Sequence, residues 1–231
     1  MQTSSPIGCR YFVSRLFCLI LSLLIGCTSN GLVPEPTLTL SPTEQAEADK
    51  YLEHGNDAIL YYLKETQNID KNSVLNTVQY LASKGADVLA GVGDETTLLV
   101  AADKGNIEVV QYLVSQGADV NVGAVIRRAL LRSDAEVIKF LVAHGADIDV
   151  LLGSDTTPFH VAIQSYNANI DIIQFLVSQG ADINAKFGNV TPLDEAKHRL
   201  DDMKMDFSSR RKSIEAIIEY LISQGAKGEM E

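Results

Sequence analysis

The chain has 231 residues, 46% of them hydrophobic, which is enough for one or two folded domains with an apolar core. Its formal net charge is −11, from 30 acidic and 19 basic residues. This balance argues against general nucleic-acid binding and against adsorption to anionic lipid, which both need exposed lysine and arginine, and it suits solubility or a basic partner.

The first segment has the features of a secretory signal. Residues 1–15 contain Arg10 and Arg15 but no acidic residue, and residues 16–25 form the largely apolar run LFCLILSLLI. A membrane-spanning helix needs about 20 apolar residues, so this run is too short to span a bilayer. A positive segment followed by a short apolar one predicts an exported protein.

The residues that end this segment are more specific. Leu24-Ile25-Gly26-Cys27 resembles the lipobox of bacterial lipoproteins, in which a peptidase cleaves before the cysteine and lipid is attached to it. The resemblance implies that residues 1–26 are removed and that Cys27 is acylated. Thr28 follows the cysteine, which favours the outer membrane, with the domain facing the periplasm. A plain signal peptide before a chance cysteine, and a signal anchor that is never cleaved, are the alternatives.

Cysteine usage and composition fit an anchored, tethered domain. Cys9 and Cys18 would leave with the signal, so acylation would protect the single remaining thiol from oxidation. Without residues 1–26 the chain would hold 17 basic and 30 acidic residues, a net charge of −13. Residues 27–42 are rich in proline, threonine and serine and predict a flexible tether that reaches about 45 Å, at about 3 Å per extended residue.

The folded domain is predicted over residues 43–231, and its first helix has a clear start. Ser41-Pro42-Thr43-Glu44 combines a capping serine, a proline in the first turn and a glutamate three residues after the serine. The helix is expected to run to about His54 and to end near Gly55. A second helix to about Lys64 and a third over Asn72–Lys84 follow.

A stretch such as QYLVSQGADV recurs five times and sets the period of the domain. Successive copies are 32, 28, 35 and 45 residues apart, measured between their shared glycines, Gly85, Gly117, Gly145, Gly180 and Gly225. Each copy has the apolar spacing of a short helix, and its glycine is expected to end that helix in the left-handed conformation. A period of about 33 residues predicts a solenoid of repeated units, and five near-copies argue against an ordinary helical bundle.

A second motif precedes the later copies. Thr157-Pro158-Phe159-His160-Val161-Ala162 recurs in modified form over Thr191–Ala196 and Thr96–Ala102. This pattern resembles the ankyrin repeat, whose inner helix opens with T-P-L-H-x-A, and the resemblance covers residues 56–227. It implies an all-α ankyrin solenoid of helix-turn-helix units with short β-turn fingers. It also implies that the threonine caps the helix and that the histidine is hydrogen-bonded within or between turns.

Three units depart from the pattern. The third has Arg127 at the histidine position and a shortened finger between Gly117 and Ala124. The fourth carries about two extra residues around Tyr166–Asn169. The fifth carries about thirteen more within residues 197–212, which are expected to lengthen its inner helix and to add a loop. That loop is either ordinary solvated chain or a binding element.

Nothing in the sequence predicts catalysis. His160 occupies the motif position, His54 and His144 precede glycines, and His198 lies near the insertion. No two of these histidines have metal-ligand spacing, and no phosphate-cradling glycine loop is present. We therefore expect no enzyme activity, no metal and no cofactor.

The resemblance implies binding to a protein partner through a concave face built from the fingers and inner helices. The positions that match this face are Glu95, Asp103, Lys104, Arg128, Arg132, Asp155, Gln164, Phe187, Asn189, His198 and Arg199. Arg128 and Arg132 lie four apart on one helix and Phe187 lies at a finger tip, so these three are the expected anchors.

The expected partner is an unidentified protein, and a basic one fits the acidic chain. Membrane contact is expected only through the lipid, and no nucleic acid is expected. The main alternative is an immunity or inhibitor protein that neutralises a toxin or enzyme in the cell envelope. A purely structural tether between envelope components is a further alternative.

Overall fold

The computed structural model of the protein describes residues 40–66, 70–92, 95–121, 125–150, 156–203 and 209–228. The predicted signal peptide, Cys27 and most of the predicted tether lie outside these residues. Among the residues that are described, no helix combines the length and hydrophobicity needed to cross a membrane.

The described chain is built from helices joined by short turns. Its first half contains α1 (Pro42–Asp49), a 3-10 helix (Lys50–Asp57), α2 (Ala58–Glu65), α3 (Lys71–Ser83), β1 (Gly91–Val92), β2 (Glu95–Thr96), α4 (Thr97–Asp103) and α5 (Ile107–Ser115). Its second half contains α6 (Val125–Arg132), α7 (Ala135–Ala143), α8 (Pro158–Gln164), α9 (Ile170–Ser178), α10 (Pro192–Asp202) and α11 (Ser209–Ser223).

These helices form five consecutive pairs arranged in two layers. The inner helices α2, α4, α6, α8 and α10 pack against one another in that order, and the outer helices α3, α5, α7, α9 and α11 do the same. The strands β1 and β2 form an antiparallel finger between α3 and α4, and Phe187 and Val190 form a single bridge in the finger before α10. The predicted all-α solenoid with short fingers is confirmed.

The predicted helix start at residue 41 is confirmed. The Ser41 backbone N–H donates to Glu44 Oε2 at 2.7 Å, and the Glu44 N–H donates to Ser41 Oγ at 3.3 Å. These two bonds form a capping box, which satisfies donors that the first helical turn leaves unpaired. The helix α1 then packs against α3 and covers the N-terminal end of the stack.

The predicted break at Gly55 is confirmed, but the segment before it is only partly α-helical. The α-helix ends at Asp49, and the chain continues as a 3-10 helix in which Gly55 has φ +59°. The 3-10 segment places the Tyr51 ring edge-on against Tyr62, with centroids 5.2 Å apart, and the Tyr51 hydroxyl donates to Glu65 at 3.1 Å. This contact with α2 accompanies the tighter winding, and local helix propensity carries no information about it.

The repeated glycines end the outer helices as predicted. All five have φ between +81° and +100°. In the second copy the Gly117 N–H donates to Val114 O at 2.9 Å and the Ala118 N–H donates to Leu113 O at 3.1 Å. These bonds satisfy the last carbonyls of α5 and turn the chain towards the next finger.

The core lies between the two layers. Each of α5, α7 and α9 buries three aliphatic residues, for example Val109, Val110 and Leu113 in α5. The inner helix α8 buries every residue from Pro158 to Ile163 because neighbouring inner helices and an outer helix all pack on it. In α8 the exposed residue is therefore Gln164, at the end of the helix.

The insertions lie where the sequence places them. Five residues, Ser165–Asn169, join α8 to α9, against three, Lys104–Asn106, between α4 and α5. Helix α10 has 11 residues where the other inner helices have 7 or 8, as predicted. Helix α11 is also long, with 15 residues against 9 in α5, α7 and α9, which was not predicted.

Candidate functional site

A cleft of about 390 Å³ crosses three consecutive inner helices. It is lined by Lys64 from α2, Glu95 from the finger, Leu99, Val100, Asp103 and Lys104 from α4 and its end, and Arg128 and Arg132 from α6. We call this cleft the inner groove. It brings together five of the eleven residues predicted to bind a partner, namely Glu95, Asp103, Lys104, Arg128 and Arg132.

Asp103 lies between the two arginines of α6. Its Oδ1 is 3.7 Å from Arg128 Nη1, and its Oδ2 accepts a hydrogen bond from Arg132 Nη2 at 3.1 Å. A spacing of four residues places both arginines on one side of α6. The arginine side chains are 51% and 59% exposed, so each pair contributes only about 0–1 kcal/mol and leaves the guanidinium groups accessible.

A second ion pair joins the first two units across the groove. Lys64 Nζ lies 2.6 Å from Glu95 Oε2, and both side chains are at least one-third exposed. Glu95 belongs to the finger and Lys64 to the last turn of α2. The pair therefore places the finger carboxylate over the inner helices.

Lys104 has a role within the fold. Its ammonium group donates to the carbonyl oxygens of Thr66 and Lys64, at the C-terminal end of α2. Burial lowers the pKa of Lys104, with Arg132 acting in the same direction and Asp103 opposing. A cation at the end of α2 satisfies carbonyls that lack helical partners, so Lys104 links the first two units.

Arg199 repeats this arrangement six helices later, in α10. Its Nη1 donates to the carbonyl oxygens of Ile163 and Ser165, where α8 ends. Burial is the largest influence lowering the pKa of Arg199, while nearby Glu195 opposes the shift. Partner binding by Lys104 and Arg199 stays a prediction, and the contacts described here would hold both side chains in place whether or not a partner binds.

The remaining predicted positions lie outside the inner groove. Gln164 and His198 are exposed in the fourth and fifth units, and Asn189 is exposed in the last finger. Asp155 lies outside the described residues. The structure therefore separates the ten described positions into five in the inner groove and five around α8, α10 and the fifth finger.

Phe187 is half-buried at the base of the fifth finger. Its backbone exchanges hydrogen bonds with Val190 at 2.9 and 3.0 Å. Its ring meets His160 edge-on, with centroids 6.2 Å apart. The apolar residue at this finger thus has a packing partner in the fourth unit, and its predicted role as a binding anchor remains a prediction.

His160 joins the fourth unit to the fifth finger, as the motif implies. Its Nε2 lies 3.4 Å from Val190 O, and since a carbonyl only accepts, Nε2 carries the proton. Its Nδ1 then accepts from the Thr157 hydroxyl at 2.8 Å. Thr157 is the N-cap residue of α8, but the expectation that its side chain caps the helix is wrong, because its hydroxyl oxygen accepts no hydrogen bond from the first turn. Thr96 and Thr191 do cap α4 and α10 with their side chains.

His160 makes the stability of the protein pH-dependent. Burial lowers the pKa of the folded-state imidazole below 6.5, while the Val190 hydrogen bond partly opposes the shift. In the unfolded chain the pKa returns to about 6.5, so below that pH the unfolded state binds more protons and stability is lost as pH falls. In urea unfolding, His160→Asn should flatten this loss between about pH 6.5 and 5, whereas the exposed control His198→Asn should keep the wild-type slope. Equal slopes for wild type and His160→Asn would contradict the assignment.

One contact in this region was not predicted from the sequence. The Arg210 guanidinium lies 4.3 Å from the centre of the Tyr166 ring, and Tyr166 is 66% exposed. Arg211 donates to Leu200 O and Met203 O at the end of α10. The extra residues of the fourth and fifth units thus meet. The sequence identifies both insertions but contains no signal that pairs them.

The last observations concern metal binding and similarity to known proteins. Among the described residues, no three histidine, cysteine, aspartate or glutamate side chains are grouped so that they could hold a metal ion. A family model described as Ankyrin repeats (3 copies) matches the chain twice, over residues 46–124 and 125–203, which together are more than half of its length. No curated protein matches the chain.

Proposed function

The chain belongs to the ankyrin-repeat family, and we propose that this protein–protein interaction module binds its partner through the inner groove. Ankyrin-repeat proteins are generally binding modules without enzymatic activity. The observation that carries the proposal is the meeting of Asp103, Arg128 and Arg132 in one cleft that spans three units.

The chemistry of the groove supports this choice over the other surfaces described. Arginine is a frequent anchor of protein interfaces because its planar guanidinium binds carboxylates through two hydrogen bonds and also stacks on apolar groups. Leu99 and Val100 supply an apolar lining beside the charges. The outer helices, in contrast, present the near-identical repeated stretch, which offers little to distinguish one partner from another.

Affinity capture with the full chain tests the proposal. We expect Arg128→Gln combined with Arg132→Gln to weaken partner capture by at least about tenfold, the effect of losing one interface anchor. Arg127→Gln is the matched control, because Arg127 is exposed on the same helix but does not line the groove. Equal capture by wild type and the double variant would refute the proposal.

We further propose that the domain is anchored by lipid on Cys27 at the outer membrane and faces the periplasm. The support is the lipobox-like Leu24–Cys27, the lone cysteine that cleavage would leave and the tether that follows. One acyl group binds membranes only weakly, but the several acyl chains of a lipoprotein cysteine anchor firmly. Cys27→Ser should abolish labelling by radioactive palmitate and release the domain from the outer-membrane fraction; unchanged labelling would contradict the proposal.

The immunity or inhibitor alternative is a narrower form of the same function. It requires the captured partner to be a toxin or an enzyme of the cell envelope whose activity the protein abolishes. The acidic net charge of −11 permits a basic enzyme as partner. The identity and activity of the protein captured in the experiment above decide between the two forms.

A further inference from the structure

The charge of the inner groove is opposite to that of the chain. The whole chain carries a formal net charge of −11. The groove lining contains four cationic side chains, Lys64, Lys104, Arg128 and Arg132, and two carboxylates, Glu95 and Asp103. The groove is therefore a locally positive site on an acidic protein, and net charge alone does not describe what it recognises.

The internal ion pairs leave part of this positive charge uncompensated. Glu95 balances Lys64 at 2.6 Å. Asp103 is the carboxylate shared by Arg128 and Arg132, and Lys104 donates to backbone carbonyls, which carry no formal charge. Within the groove lining, three cations thus face one carboxylate.

The geometry at Asp103 leaves room for a second carboxylate. Arg128 Nη1 is 3.7 Å from Asp103, which is beyond hydrogen-bond distance, and Arg128 is 51% exposed. Arg132 makes a hydrogen bond to Asp103 through Nη2 and is 59% exposed. Each guanidinium has five donors, so each can donate to a further carboxylate without giving up its contact with Asp103.

Resting on the proposed function, we propose that the partner inserts an acidic protein segment into the inner groove. The segment carries carboxylates that pair with Arg128 and Arg132 and an apolar side chain that rests on Leu99 and Val100. A volume of about 390 Å³ accommodates a few side chains. The surrounding net charge of −11 disfavours an extended polyanion such as a nucleic acid or an anionic membrane, whose many charges would be repelled outside the groove.

Asp103 lies beside the two arginines that the partner carboxylate would bind. Because it already neutralises part of the charge on both arginines, it weakens their attraction for an incoming acidic side chain. Replacing Asp103 with asparagine keeps the size of the side chain and removes its charge. Affinity for an acidic segment should therefore rise in Asp103→Asn, in the direction opposite to the arginine variants.

The test titrates the full chain with two short labelled peptides, one alternating glutamate, leucine and glycine and one with glutamine in place of each glutamate. The glutamate peptide should bind at least about tenfold more tightly, since arginine–carboxylate hydrogen bonds are charge-assisted. Arg128→Gln with Arg132→Gln should remove this preference, and Asp103→Asn should increase it. Arg127→Gln should change it by less than about twofold, because exposed charges interact only locally and Arg127 does not line the groove.

Several results would overturn the inference. The first is equal binding of the two peptides. The second is an equal loss of the preference for the glutamate peptide in Arg127→Gln and in the variant that combines Arg128→Gln with Arg132→Gln. The third is displacement of the glutamate peptide by polyphosphate or by phosphatidylglycerol vesicles at matched charge. Failure here is distinguishable from failure of the proposed function. If partner capture still depends on Arg128 and Arg132 while the glutamine peptide binds as well as the glutamate peptide, the proposed function stands and the acidic segment does not.

Discussion

Replacing Phe159 with alanine is expected to lower the free energy of unfolding by about 3–5 kcal/mol. Phe159 is 1% exposed and lies in α8, which packs between α6 and α10 and against α9. Removing its ring leaves a cavity at the centre of the fourth unit. In a solenoid each unit is stabilised by its neighbours, so the loss weakens the contacts on both sides.

Urea unfolding followed by circular dichroism measures this effect. The control is Tyr166→Ala, which removes an aromatic side chain from the same unit at a position that is 66% exposed. It should cost less than about 1 kcal/mol, because little apolar surface is returned to water. A loss below about 1 kcal/mol for Phe159→Ala would mean that α8 is not packed as described.

Replacing Asp194 with alanine is expected to cost about 2–3 kcal/mol, because half of a capping box is lost and the buried Thr191 donors are left unpaired. Asp194 is fully buried and stands where the repeat motif has histidine. Its Oδ2 accepts from the Thr191 hydroxyl at 2.7 Å and from the Thr191 N–H at 3.2 Å, and its own N–H donates to Thr191 Oγ1 at 3.2 Å. The variant loses the side-chain half of this capping box at the start of α10, because the backbone N–H of residue 194 can still donate to Thr191 Oγ1.

The matched control is Glu195→Ala, which removes the next acidic side chain from the same helical turn. Glu195 is only partly buried, and its loss should cost a few tenths of a kcal/mol to about 1 kcal/mol through the helix dipole. Gly228 also lies against Asp194, since a Cβ at Gly228 would come within 2.8 Å of Asp194 Oδ1. If Asp194→Ala and Glu195→Ala cost the same, the capping box does not stabilise α10 as argued.

Features that depend on neighbouring residues were predictable from the sequence. The left-handed conformation of Gly117 follows from the helix stop around it, and the capping box at Ser41 follows from residues within one helical turn. The order and number of the helix pairs follow from the period of the repeated stretch. Each of these predictions needs only local geometry and a repeat.

Several contacts that join different units, unlike the hydrogen bonds of the motif residue His160, were not predictable. Lys104 and Arg199 were predicted as positions on the concave binding face, but their carbonyl acceptors lie in the preceding unit, at Thr66 and Ile163. No residue pattern in the sequence indicates which backbone carbonyl will accept a hydrogen bond from a distant side chain. The Tyr166–Arg210 stacking has the same origin, because it depends on how two insertions meet in space.

The electrostatic character of the inner groove illustrates the same limit. A net charge of −11 led to the expectation of a basic partner. The structure instead groups Arg128, Arg132 and Lys104 in one cleft, while most of the acidic residues lie elsewhere. The net charge of a sequence does not specify which charged residues lie on the same surface. A partner contacts one surface and not the whole chain.

Hydrogen–deuterium exchange of the full chain, with and without the captured partner, tests the central claim most directly. The account predicts that the partner slows exchange in the finger and inner helices over residues 95–104 and 125–132. Exchange in the outer helices Ile107–Ser115 and Ala135–Ala143 should be unchanged. Protection confined to those outer helices, with the inner groove unaffected, would contradict the account.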